Sequence, residues 1–210
     1  ADSRIDRLMF ELSSAEISRW VGSYLWVLFR IASLLMTMPV IGTQLLPVRI
    51  RLYLALAITA LVAPQIGEVP TIDALSLQSW LLIGEQILIG AAMGFSLQLL
   101  FQVHVLAGQI VAMQMGLGFA SMNDPSMGIS VAVVAQVFTM LVTLLFLAMN
   151  GHLVVLEVLV ESFTTLPIGE SLGRLDFQAL VLRFSWVMAA AILIGLPAIT
   201  ALLIVNISFG

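Results

Sequence analysis

Apolar residues run along this chain in long blocks of helical length, separated by short polar or Pro- and Gly-marked stretches. Ser13, Ser14 and Glu16 give an N-cap and first-turn signal for an apolar helix from about Ile17 to Met38, which ends before Pro39. Trp20, Tyr24 and Trp26 near its start suit an interfacial belt. Pro39-Val-Ile-Gly-Thr-Gln-Leu-Leu-Pro47 reads as a loop. Arg49 and Arg51 then open a second helix of about 15 residues ending near Pro64, short of the roughly 20 that cross a bilayer.

A polar connector from Gln65 to Ser79 precedes a helix that starts near Trp80, passes Glu85 and continues to His104 or beyond. Gln86 to Asn123 carries no formal charge and is punctuated by Gly90, Gly94, Gly108, Gly116 and Gly118, a pattern that predicts close helix contacts and a break. A turn over Ser121-Met-Asn-Asp-Pro-Ser-Met-Gly128 leads to a helix from about Ile129 to Met149. Asn150-Gly151 should end that helix and reverse the chain as a hairpin into His152 to Leu166, which holds Glu157 and Glu161 one turn apart. Pro167 closes this segment, and Ile168 to Asp176 form a polar loop. The last helix starts near Phe177, passes Arg183, Trp186 and a kink at Gly195-Leu-Pro197, and reaches Gly210. The pattern is that of an all-α membrane-complex protein.

Composition agrees. Of 210 residues, 61% are hydrophobic and only 10% charged, with a mean hydropathy of +1.13, so the chain needs lipid or partner subunits to cover it. All basic residues are Arg, and with a net charge of -4 no basic cluster exists to follow a phosphate backbone, which excludes nucleic acid as a partner. Cysteine is absent, so there is neither a disulfide framework nor a thiolate metal site. The first ten residues, with Arg4 and Arg7, lack the apolar core of a cleaved signal peptide. Residues 1–8 read as a leader foreign to the fold, and 9–210 as a single helical domain.

The sequence offers no catalytic, cofactor-binding or metal motif. His104 and His152 are the candidates for proton relay, but a lone histidine on a helix is more often a hydrogen-bonded or interfacial side chain. Arg30 is expensive in hydrocarbon and is expected to snorkel, pair with a carboxylate or lie outside lipid. Glu85, Glu157 and Glu161 are candidate polar contacts with it or with partners. They also raise the alternative of an ion-coupled secondary transporter subunit. Against that stands the absence of any Arg or Lys between Arg51 and Arg174.

Two motifs bear on packing and closure. Gly90-Ala-Ala-Met-Gly94 is a small-xxx-small pattern that lets two helices approach closely. Met113, Met115, Met122 and Met127 surround Gly116, Gly118 and Phe119. Pliant thioethers on a bendable backbone suit a deformable plug, although ordinary core packing beside a tight turn has the same composition.

Several strings, taken in order and spacing, resemble the FliR family, the R subunits of the flagellar type III secretion export gate and their injectisome counterparts. They are Leu46-Pro-Val-Arg-Ile-Arg51, Glu85-Gln-Ile-Leu-Ile-Gly90, Gly108-Gln-Ile-Val-Ala-Met-Gln-Met-Gly-Leu-Gly-Phe-Ala-Ser-Met-Asn-Asp-Pro125, Asn150-Gly-His-Leu153, Leu166-Pro-Ile-Gly169 and Leu196-Pro-Ala-Ile199. The resemblance implies bent helical hairpins and no catalysis. It further implies a hetero-oligomer with FliP-like and FliQ-like subunits in the bacterial inner membrane and flagellar basal body, much of it on the periplasmic side, through which unfolded proteins pass. On this resemblance the plug loop falls on about Gly108 to Pro125, and a further C-terminal hairpin is expected beyond the Leu196 to Ile199 region.

Overall fold

The computed structural model describes residues 14–42, 46–66, 76–116, 133–169 and 177–209, with the side chains of the first helix described from Tyr24 onward. All regular structure among the described residues is helical: α1 (Ser14–Thr37), α2 (Val48–Val62) continued by a 3-10 turn (Ala63–Gln65), α3 (Leu77–Gln114), α4 (Val133–Ala148), α5 (Gly151–Thr165) and α6 (Phe177–Phe209). They fall into two compact units.

The first unit holds α1, α2, α3 as far as Gly94, and the chain from Val158 through the end of α5. Val27, Arg30, Ile31 and Leu34 repeat at the helical i, i+3, i+4, i+7 spacing, and all four are buried. Ala55, Thr59 and Val62 give α2 a narrow buried stripe, and this helix packs on α1. Arg51 holds the preceding loop to the first turn of α2 by donating to the carbonyls of Leu46 at 2.9 Å and Gly42 at 3.4 Å.

The second unit contains α3 from Phe95, α4, α5 to Glu157, and α6. Leu99, Val103 and Ala107 of α3 meet Val187 and Ala191 of α6, and Phe138 of α4 packs against the same cluster. Ala135 lies so close to Gly108 that a Cβ there would come within 3.1 Å of the alanine Cβ, which makes Gly108 the contact point of α3 with α4.

Three helices among the described residues are long and apolar enough to cross a membrane: Val48–Gln65, Leu77–Gln114 and Val181–Phe209. The 3-10 turn gives the second helix of the chain the length that α2 alone lacks. Two expectations change. Trp26 is buried in the first unit rather than in an interfacial belt, because it lies one turn before Arg30 on the packed face of α1. α4 and α5 meet at 67° across Met149 and Asn150 instead of folding back as a hairpin. Asn150 takes φ 56°, but its carbonyl at once accepts from Leu153 and Val154, so the break is too short to reverse the chain. The break expected among the glycines of this stretch comes at Gly116, at φ 74°, after α3 has run through Gly90, Gly94 and Gly108 without interruption. Pro197 lies inside α6, which continues to Phe209.

Candidate functional site

The most concentrated polar chemistry in this apolar chain is built around Arg30, which is fully buried. Its Nε donates to Gln86 Oε1 of α3 at 2.7 Å. One terminal nitrogen donates to the Ser162 carbonyl at 2.9 Å and to the Ser162 hydroxyl at 3.2 Å, and the other to the Leu166 carbonyl at 2.9 Å. The guanidinium carbon sits 4.3 Å from the centre of the Phe163 ring. Desolvation of the cation is opposed by the charge of Glu85, itself buried, so the two expected polar residues share one site.

Local sequence explains why α5 ends there. Pro167 has no N–H with which to continue the helix, and the Leu166 carbonyl, just past its last turn, is among the terminal carbonyls left without a helical donor. Arg30 supplies that donor and places a cation at the C-terminal, negative end of the helix. Gln86 turns its oxygen to Arg30 because Nε can only donate, and its Nε2 has no partner among the described residues.

Gly90 and Gly94 face α1. A Cβ at Gly90 would strike the Ser33 hydroxyl and the Arg30 carbonyl, and one at Gly94 would strike the Thr37 hydroxyl and come 3.0 Å from the Leu34 carbonyl. The helix on which this small-residue face lies belongs to the same chain. Neighbouring hydroxyls turn inward, Ser33 to the Arg30 carbonyl at 3.0 Å and Thr37 to the Ser33 carbonyl at 2.8 Å, which keeps polar atoms satisfied where the helices touch.

The remaining candidates are not brought to this site. Glu157 and Glu161 are exposed on α5. Met113 and Met115 are exposed at the end of α3 beside Gly116. Gly118, Phe119, Met122 and Met127 lie outside the described residues. His104 contacts the Leu100 carbonyl through Nδ1 at 3.3 Å, and the buried Nδ1 of His152 has no partner among the described residues. Sequence reasoning singled out Arg30 and Glu85 but missed Gln86, Ser162, Phe163 and the Leu166 carbonyl. Among these only the Leu166-Pro167 step, which marks the end of the helix, carried a signal.

Long apolar helices, wide apolar exposure on α4 and α6, and a charged group held inside by the protein itself define an all-α membrane protein. The profile of the family Bacterial export proteins, family 1, matches residues 21–210. The flagellar biosynthetic protein FliR of Escherichia coli (strain K12) is 38% identical over 205 residues, covering 96% of this chain and 77% of that protein. FliR of Pectobacterium carotovorum subsp. carotovorum is 37% identical with the same coverage. FliR of Aquifex aeolicus (strain VF5) is 33% identical over 180 residues, covering 85% of this chain and 69% of that protein. The chain belongs to this family of bacterial export proteins, with the FliR proteins among its relatives.

Proposed function

We propose that this chain is a structural and gating subunit of the type III protein-export gate of the flagellar basal body, in the bacterial inner membrane. It packs with FliP-like and FliQ-like subunits and performs no catalysis. The observation that carries this reading is the family match over residues 21–210. Two features support it. Exposed Val181, Leu182, Phe184, Trp186 and Met188 leave the start of α6 to be covered by lipid or other subunits. At the end of α3, exposed Met113 and Met115 lead through Gly116 into the segment that holds Gly118, Phe119, Met122 and Met127, which we assign as the plug that closes the passage.

The transporter alternative draws no support from the acids. Glu85 is the buried carboxylate among the described residues and sits in the field of Arg30, whereas Glu157 and Glu161 are exposed. Purification in mild detergent tests the proposal. Two companion membrane proteins in unequal copy number are expected to accompany the chain, and a chain that runs alone as a monomer or homodimer overturns it.

A further inference from the structure

Arg30 is the buried group for which export supplies no task. Four hydrogen bonds run from it to neutral oxygens, and their directions are those of a planar fork: one along Nε to α3, the others from the terminal nitrogens to the last turn of α5 and the residue beyond. Phe163, on the same turn of α5, covers the guanidinium face. Gly90 enters the same arrangement from the other side. Because it has no Cβ, the Arg30 carbonyl and the Ser33 hydroxyl can lie against its Cα, and the depth of α1 on α3 fixes the distance from which Arg30 reaches α5.

We propose that Arg30 is the positioning residue for the C-terminal turn of α5 and the Leu166-Pro-Ile-Gly169 turn after it, that it acts through the geometry of its fork rather than through its charge, and that Gly90 sets its reach. Lysine keeps the charge but has no fork, and cannot serve Gln86, Ser162 and Leu166 together from fixed directions. Glu85, which acts on Arg30 through charge, contributes less to this task than the fork does. Arg30 and Gly90 behave as one device, so removing either removes what the other contributes.

The chain has no cysteine, so a single Ile168→Cys reports on the turn after α5, where Ile168 is buried, and Ala191→Cys reports separately on the core of the second unit. The measurement is the rate at which a water-soluble maleimide labels each cysteine in the full chain, solubilised with its companion subunits. Arg30→Lys is expected to raise labelling at Ile168→Cys about tenfold and leave Ala191→Cys protected. Gly90→Ala should do the same, and the double variant no more than the larger single effect. Glu85→Gln removes a charge but no member of the fork, and should raise labelling by less than Arg30→Lys does. The proposal is overturned if Arg30→Lys labels at the unaltered rate, or if Glu85→Gln exposes Ile168→Cys as much as Arg30→Lys does. Should Arg30→Lys also expose Ala191→Cys through general unfolding, Gln86→Leu decides. It removes one acceptor of the fork, and labelling should rise about threefold. An unchanged rate in that variant would sink the proposal.

Discussion

The ring of Phe146 stands edge-on to that of Phe101, with centroids 5.5 Å apart and planes at 71°, and the same ring fills the space that a side chain at Gly151 would need. One aromatic group therefore ties α4 to α3 and fixes how α5 begins. An edge-to-face pair of this kind adds about 1 kcal/mol to the area that it buries.

Gly151→Ala should accordingly destabilise the protein by about 1–3 kcal/mol, since the new methyl group overpacks against Phe146. Phe146→Leu should cost about as much through loss of the ring contact. Because Leu also makes room at residue 151, the double variant should lose less than the sum. Thermal unfolding of the four proteins in the same detergent checks this, and strict additivity would show that the ring does not set the space at Gly151.

Gly94 makes a similar prediction for the first unit. Its Cβ would meet the Thr37 side chain and approach the Leu34 carbonyl, so Gly94→Ala should cost about 1–3 kcal/mol and Gly94→Leu more. The damage should appear first as a lowered unfolding midpoint of the isolated chain and only then as poor assembly, because α1 and α3 belong to one subunit. A Gly94→Leu chain with an unchanged midpoint and normal yield of the assembled gate would refute the contact.

Much of this architecture was legible in the sequence. Pro39, Pro47 and Pro64 bracket the first two helices because proline cannot supply the N–H that an interior helical position needs, and α2 has the length read between them. Asn150-Gly151 marks a real break, but the angle there depends on how soon the next helix begins, which composition does not encode. The spacing of Gly90 and Gly94 gives a bare face on α3 without saying that α1 covers it. Arg30 stands out as costly, yet its acceptors lie 56 to 136 residues away, and two of the four are backbone carbonyls, present at every residue and invisible to motif reading.

Neither histidine should matter for catalysis. General acid–base groups typically contribute 10²–10⁴-fold, so His104→Ala and His152→Ala strains should export within about threefold of the unaltered strain if neither moves protons. His104 contacts only a carbonyl of its own helix in the described contacts, and nothing among the described residues partners the buried nitrogen of His152. Secretion assays on cells with normal gate assembly give the answer. Abolished export in either strain would bring the proton relay back.

The sharpest prediction concerns closure. α3 ends with Met113 and Met115 exposed, and Gly116 at φ 74° takes a backbone conformation that side chains other than glycine rarely accept, so the chain turns out of the helix there. If Met115, Phe119 and Met122 exclude water from a passage, removing apolar bulk should open it to small ions while the flanking helices still pack, because their contacts rest on Gly108, Ala135 and the Leu99 cluster. The Met115→Ala, Met122→Ala double variant, and a deletion within 116–121, should therefore assemble at normal yield yet conduct in the resting state. Assembly and leakage are separate readouts: copurification of the companion subunits measures the first, and conductance or ion sensitivity of cells carrying the variant gate measures the second. A deletion variant that assembles fully and stays as tight as the unaltered gate would mean that these methionines pack a core and seal nothing.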